Sequence, residues 1–117
     1  DCIERGCTVK AGGVVYVWVS GLQVGIANLA NSLAAVRELV FRQHQLSQQD
    51  LAAALKSDFA GLSGEQLRQK LINSVAKYGN DEDDVDNLLV RAYQSYIDAL
   101  KGFHNTRFGR GPIGGGY

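Results

Sequence analysis

The sequence predicts a mostly α chain of about four amphipathic helices, with one short buried strand near its start and a glycine-rich loop at its end. Three observations carry that expectation. A valine-rich ribbon, Val14 to Val19, is bracketed by Gly12-Gly13 and Gly21, the composition of a strand held between turns. Four later stretches repeat apolar residues every three or four positions, the period of a helix with one buried face. Residues 103–117 are dense in glycine and show no period at all.

The ribbon comes first. Its residues are apolar on both faces, so it should be buried on both sides. A single strand cannot make a sheet, and its hydrogen-bonding partners are therefore expected outside this chain. From Asn28 the period turns helical through Leu29, Leu33, Val36 and Val40, with Arg37, Glu38 and Arg42 off the stripe. Ser47 followed by Asp50 reads as a capped start for a second helix, with Leu51, Ala54, Leu55 and Phe59 as its stripe and Gly61 as its end. Ser63 with Gln66 repeats that capping pattern for a third, carried by Leu67, Leu71, Ile72 and Val75 and stopping before Tyr78-Gly79-Asn80. The fourth is the most regular. Val85, Leu88, Leu89, Ala92, Tyr93, Tyr96, Ile97 and Leu100 form its stripe, acids from Asp81 to Asp86 suit its positive end, and Gly102 closes it.

With 117 residues the chain is long enough for one domain. Hydrophobic residues at 45% and charged residues at 21% exclude a disordered or collagen-like chain. Twelve basic residues balance twelve acidic ones, so no whole-chain field points to nucleic acid or to an anionic membrane. No apolar run approaches the ~20 residues needed to cross a bilayer, and a charged start from Asp1 to Arg5 is unlike a signal peptide, which together suggest the cytoplasm. The sequence contains no methionine and stops within glycines, so a piece of a longer chain is expected.

Several constellations could carry chemistry. Cys2-Ile3-Glu4 sets a thiol two residues from a carboxylate, but positions two apart on a helical turn do not face each other, and Cys2 is rejected as catalytic. Cys2 and Cys7 are too few for a disulfide scaffold or a four-ligand zinc site and are expected as reduced thiols. A Cys2–Cys7 disulfide is geometrically possible but has no support in a reducing compartment. The acids from Asp81 to Asp86 lack the glycine and glutamate of a calcium loop, so helix capping explains them. His44 and His104 have no ligand partners at metal spacing. Gly21 and Gly25 precede a helix, yet without a P-loop lysine they read as tight packing. Arg107-Phe108-Gly109-Arg110-Gly111 is a single arginine-glycine copy in a neutral chain, weak support for RNA binding. A free-standing helical interaction module is the reading that competes with an enzyme, and the unpaired strand argues against it.

Three blocks in order resemble the glycyl radical enzymes of the pyruvate formate-lyase and diol-dehydratase superfamily. They are Asp1-Cys2-Ile3-Glu4-Arg5-Gly6 with Gly12-Gly13-Val14-Val15-Tyr16, then Gly25-Ile26-Ala27-Asn28-Leu29-Ala30-Asn31-Ser32-Leu33-Ala34-Ala35, then Lys77-Tyr78-Gly79-Asn80-Asp81 with Val85-Asp86. The resemblance implies that residues 1–117 are an internal segment of a pyruvate formate-lyase type domain, with 103–117 a glycine-rich loop. It also implies a ten-stranded α/β barrel in an anaerobic, cytoplasmic parent, homodimeric, with formate acetyltransferase-like or diol and glycerol dehydratase-like activity on a small molecule. Such a parent carries a glycyl radical, installed by an S-adenosylmethionine-dependent activating enzyme, and needs neither nucleic acid nor membrane. In this family the catalytic cysteine sits in a Gly-Cys-x-Glu loop, whereas Asp1 precedes Cys2 here. The radical glycine lies in an Arg-Val-x-Gly-Tyr type segment, which Gly114 to Tyr117 do not match. The resemblance thus makes this stretch scaffold between the two catalytic elements, with no catalytic, cofactor-binding or metal residue of its own. Asn31 stands where aspartate is common.

Overall fold

A computed structural model describes residues 1–16, 19–103 and 113–116, and the chain divides into two compact units, Gly25–Ala92 and a discontinuous one made of Asp1–Val24 with Tyr93–Tyr117. In order the elements are α1 (Cys2–Arg5), a 3-10 turn (Val9–Ala11), β1 (Val19–Leu22), α2 (Ile26–Val36), a π-helical segment (Arg37–Arg42), α3 (Gln48–Lys56), α4 (Gly61–Asn73), α5 (Asp83–Leu100) and β2 (Ile113–Gly116). No helix among the described residues is long and apolar enough to cross a membrane.

The Gly25–Ala92 unit is built on the contact of α2 with the first half of α5. Ala30, Ala34 and Val85 are buried together, and Val75, Leu88 and Leu89 pack around them. The expected stripe of α2 is thereby shifted by one position: Leu29 and Leu33 are 46% and 39% exposed, whereas Ala30 and Ala34 are 0% and 2%. Periodicity favours the larger apolar residue, but here it is the two alanines that pack with Val85. The expected helix also changes character at Arg37. Gln43 N–H reaches back five residues to the Glu38 carbonyl at 2.8 Å, a π-type bond, and the widened turn carries both Leu39 and Val40 inward.

Ser47 caps α3 as expected: its Oγ accepts the Asp50 N–H at 3.0 Å and its hydroxyl donates to the Asp50 carboxylate at 2.7 Å. The stripe of this helix is not deeply buried, and Leu55 is exposed. The helix ends at Lys56, earlier than Gly61, because Asp58 and Phe59 both adopt left-handed φ of 50° and 54°. That reversal launches α4 from Ala60, so Ser63 lies inside the helix instead of capping it. Helix α5 fits its sequence pattern best; every residue of its expected stripe is buried or half-buried.

In the discontinuous unit, α1 closes on Gly6, and Thr8 caps the 3-10 turn by accepting the Ala11 N–H at 3.2 Å. Here the structure corrects three expectations. Among the described residues the strand covers Val19–Leu22 and Val14 to Tyr16 are bends, while Val17 and Trp18 of the expected ribbon lie outside the described residues. The ribbon is not buried on both faces, since Tyr16 is 90% exposed and Val15 is 44% exposed. Lastly, β1 finds a partner within the chain: it pairs in parallel with β2, Val19 opposite Ile113 through Leu22 opposite Gly116. The stretch 103–117, expected as loop throughout, supplies that strand, and residues 104–112 and 117 lie outside the described ones. Gly21 of β1 and Gly115 of β2 have a packing reason. Tyr96 of α5 donates its hydroxyl to the Gly21 carbonyl at 2.8 Å, and a Cβ on Gly21 would meet that hydroxyl, while one on Gly115 would lie 3.0 Å from the Tyr96 ring.

Candidate functional site

An apolar cleft of about 520 Å³ opens in the Gly25–Ala92 unit, floored by Leu51, Leu55, Phe59, Leu71 and Ile72 from α3, α4 and the turn between them. Its side chains come from the stripes that the sequence assigns to burial, and those stripes are only partly covered. Arg68, Ser32, Lys77 and Asn31 at its edge each bond within the chain. Arg68 clasps Glu65 through Nε and a terminal nitrogen at 2.7 and 2.8 Å, Ser32 donates to the Asn28 carbonyl at 2.8 Å, and Lys77 donates to the Leu71 carbonyl at 3.4 Å. Asn31 Oδ1 accepts the Tyr78 N–H at 2.7 Å. With these groups bonded within the chain and its floor made of leucine, isoleucine and phenylalanine, the cleft offers apolar area more than a set of converging catalytic groups.

The Asn31–Tyr78 bond joins two of the sequence blocks that carry the family resemblance. It ties the start of α2 to the turn after α4, where Gly79 and Asp81 take left-handed φ of 88° and 58°. Asparagine supplies the same acceptor oxygen there as an aspartate would.

The arginine clasp holds the Glu65 carboxyl well below the usual carboxylate range, at about 2, with Gln69 donating a further bond. A group depressed in this way contributes stability above the ordinary glutamate pKa, and the contribution disappears as the pH falls through the depressed value. A carbon-13 titration of the Glu65 carboxyl should accordingly show its midpoint near 2, and Arg68→Ala should return it toward about 4.3. An unshifted midpoint in the parent chain would mean that the clasp is not held in solution.

The remaining candidates are scattered. Cys2 is half-buried with its sulfur against Gly13, Cys7 is exposed, and Glu4 points to solvent, so no thiol and carboxylate act together. Of the acidic run, Asp83, Asp84 and Asp86 lie in the first turn of α5, and Asp84 pairs with Arg42 at 3.0 Å and Arg37 at 3.3 Å. Those ion pairs on the π segment, which the sequence reading did not foresee, explain the arginines off the α2 stripe. His44 is an exposed residue in a left-handed turn. Gly25 starts α2 at φ 86°, and Gly21 packs against Tyr96, consistent with structural glycines. His104 and the segment Arg107 to Gly111 lie outside the described residues.

Comparison with known proteins gives consistent matches. A family model described as "Pyruvate formate lyase-like" matches residues 1–114. The chain is 68% identical over its whole length to "Probable dehydratase YbiW" of Escherichia coli strain K12, of which it covers 14%. It is 32% identical over 87% of its length to "Trans-4-hydroxy-L-proline dehydratase" of Clostridioides difficile, covering 13% of that protein. A solved structure concerned with "1,2-propanediol Dehydration in Roseburia inulinivorans" superimposes with a TM-score of 0.72 at 34% identity, over 98% of this chain and 15% of the other. The chain thus spans about one seventh of the length of these relatives.

Proposed function

The chain belongs to the pyruvate formate lyase-like family of glycyl radical enzymes, and from that membership we propose that it is a scaffold segment of a radical dehydratase or lyase acting on a small hydroxylated molecule. The observation that carries this reading is the pairing of satisfied polar groups with uncovered apolar ones. At the cleft edge Arg68, Ser32, Lys77 and Asn31 bond within the chain, while Ile3, Val24 and Leu62 stand 98%, 92% and 77% exposed. Apolar area of this kind is stabilised when the rest of a larger polypeptide covers it.

On this reading the sequence sits between a catalytic cysteine loop and a radical-glycine loop supplied elsewhere in the parent, which closes as a ten-stranded barrel. Names among the relatives favour dehydration over acyl transfer: a hydroxyproline dehydratase and a "(2S)-3-sulfopropanediol dehydratase" of Klebsiella oxytoca both match. The parent works in the cytoplasm without oxygen, as a homodimer, after an S-adenosylmethionine-dependent activating enzyme has placed the radical. When present, that radical supplies hydrogen abstraction; this segment's own residues supply shape and water exclusion. No residue here is assigned a catalytic, cofactor or metal role.

The test uses the activated full-length parent with a panel of vicinal diols and hydroxyproline as substrates. Cys2→Ser should leave turnover within about twofold of the parent, as for a residue remote from the reacting atoms. A fall of about a thousandfold or more would make Cys2 the reacting thiol and overturn the scaffold assignment.

A further inference from the structure

The two cysteines occupy the two positions that a glycine-terminated helix brings together. Helix α1 ends with Gly6 at φ 62°, ψ 23°, and two backbone bonds close over it: Cys7 N–H to the Cys2 carbonyl at 3.1 Å and Gly6 N–H to the Ile3 carbonyl at 3.2 Å. That crossed pair, one bond spanning five residues and one spanning three, defines the Schellman turn. Its first and last positions frequently bring their side chains together, and here those positions are Cys2 and Cys7. A second observation places them independently. A single added Cβ on Gly13 would meet the Cys7 carbonyl oxygen and also the Cys2 sulfur at 2.9 Å, so the Cys2 thiol already lies beside the Cys7 backbone. Cys7 is exposed, Cys2 is half-buried, and both are free thiols.

We propose that Cys2 and Cys7 form a reversible redox site, a dithiol that closes to an intramolecular disulfide on meeting a low-molecular-weight disulfide such as oxidised glutathione. The exposed Cys7, as thiolate, attacks one sulfur of that oxidant, forming a mixed disulfide and releasing one glutathione thiolate. The Cys2 thiolate then attacks the Cys7 sulfur; the Cys2–Cys7 bond forms and the second glutathione leaves. Two protein thiols lose two electrons and two protons, and one glutathione disulfide is reduced to two thiols. The turn matters because it makes the second step local, so that the mixed disulfide resolves before a further oxidant arrives. This site does not rest on the scaffold assignment: in a reducing compartment it rests as the dithiol found here, and it closes only when oxidised glutathione accumulates.

Arg5 makes the product easy to read. Trypsin cuts after Arg5 and Lys10, so Cys2 and Cys7 fall on separate peptides that stay joined only through a disulfide. The native full-length parent, incubated with oxidised glutathione, alkylated and digested, should yield that joined pair, and a dithiol reductant should separate it. Cys2→Ser should instead trap glutathione on Cys7. Gly6→Val keeps both thiols but strains the left-handed turn, and should lower the joined fraction about tenfold while raising the mixed disulfide. Independent glutathione adducts on both cysteines, two unreacted cysteines, or an unchanged joined fraction in Gly6→Val would each overturn the proposal.

Discussion

Leu39→Ala is expected to lower the stability of the π segment and α2 by about 3 kcal/mol, since deleting a fully enclosed leucine loses transfer free energy and leaves a cavity as well. Leu39 is 1% exposed and sits on the widened turn, where its carbonyl also receives the N–H groups of Gln45 and Leu46 at 2.8 and 3.2 Å. The side chain therefore anchors the place where the helix opens and the chain leaves it. Hydrogen exchange of the amides from Ala30 to Leu46 in the full-length protein is the suitable readout, because a large chain does not unfold in one step. Protection should fall roughly a hundredfold for Leu39→Ala, and by about tenfold or less for the volume-conserving Leu39→Met. A loss below about 1 kcal/mol would show that the segment is not packed as described.

The second large effect is expected at Gly64. Helix propensity alone says that a side chain there should help, by up to about 1 kcal/mol for alanine. Packing says the opposite. Gly64 is buried, and a Cβ would run into the Phe59 carbonyl and stand 3.0 Å from its Cα, all backbone atoms. That backbone cannot easily yield, because Phe59 and Asp58 are both left-handed and Phe59 N–H is tied to the Ala54 carbonyl at 2.8 Å. Moving it would cost about 1–3 kcal/mol, more than propensity returns. Gly64→Ala should thus destabilise modestly and Gly64→Val by about 3 kcal/mol, with exchange increasing first in the turn between α3 and α4. Stabilisation by alanine would mean that the two helices are looser than the structure shows.

Both positions illustrate what the amino-acid pattern could and could not convey. Helix α5 was legible residue by residue, because its stripe, acidic first turn and closing glycine all agree. The Ser47 cap was legible for the same reason: a local hydrogen bond needs only local residues. Helix α2 was legible as a helix but misread by one position, since Ala30 and Ala34 take the core by being small. The strand was misplaced toward the β-branched residues, although the pairing uses Ser20, Gly21 and Leu22 opposite three glycines whose composition reads as loop. The inference that the strand must seek partners elsewhere thus fails on one edge, and family membership rests on the three sequence blocks and the comparisons. Of the cleft, the lining helices were visible in the pattern, but the internal partners of Arg68, Asn31 and Lys77 were not. Those depend on how turns bring distant residues together, as in Asn31 and Tyr78.

The parallel ladder between β1 and β2 has a kinetic corollary. Val19 and Ile113 meet across about ninety intervening residues, and closing so long a loop costs on the order of 4 kcal/mol of chain entropy before any ladder bond forms. Local helices can form during synthesis, but this pairing must wait until the last glycines have left the ribosome. Until then β1 is an open edge with an exposed leucine at its end, and that interval is when a nascent chain is most open to sticking to its neighbours.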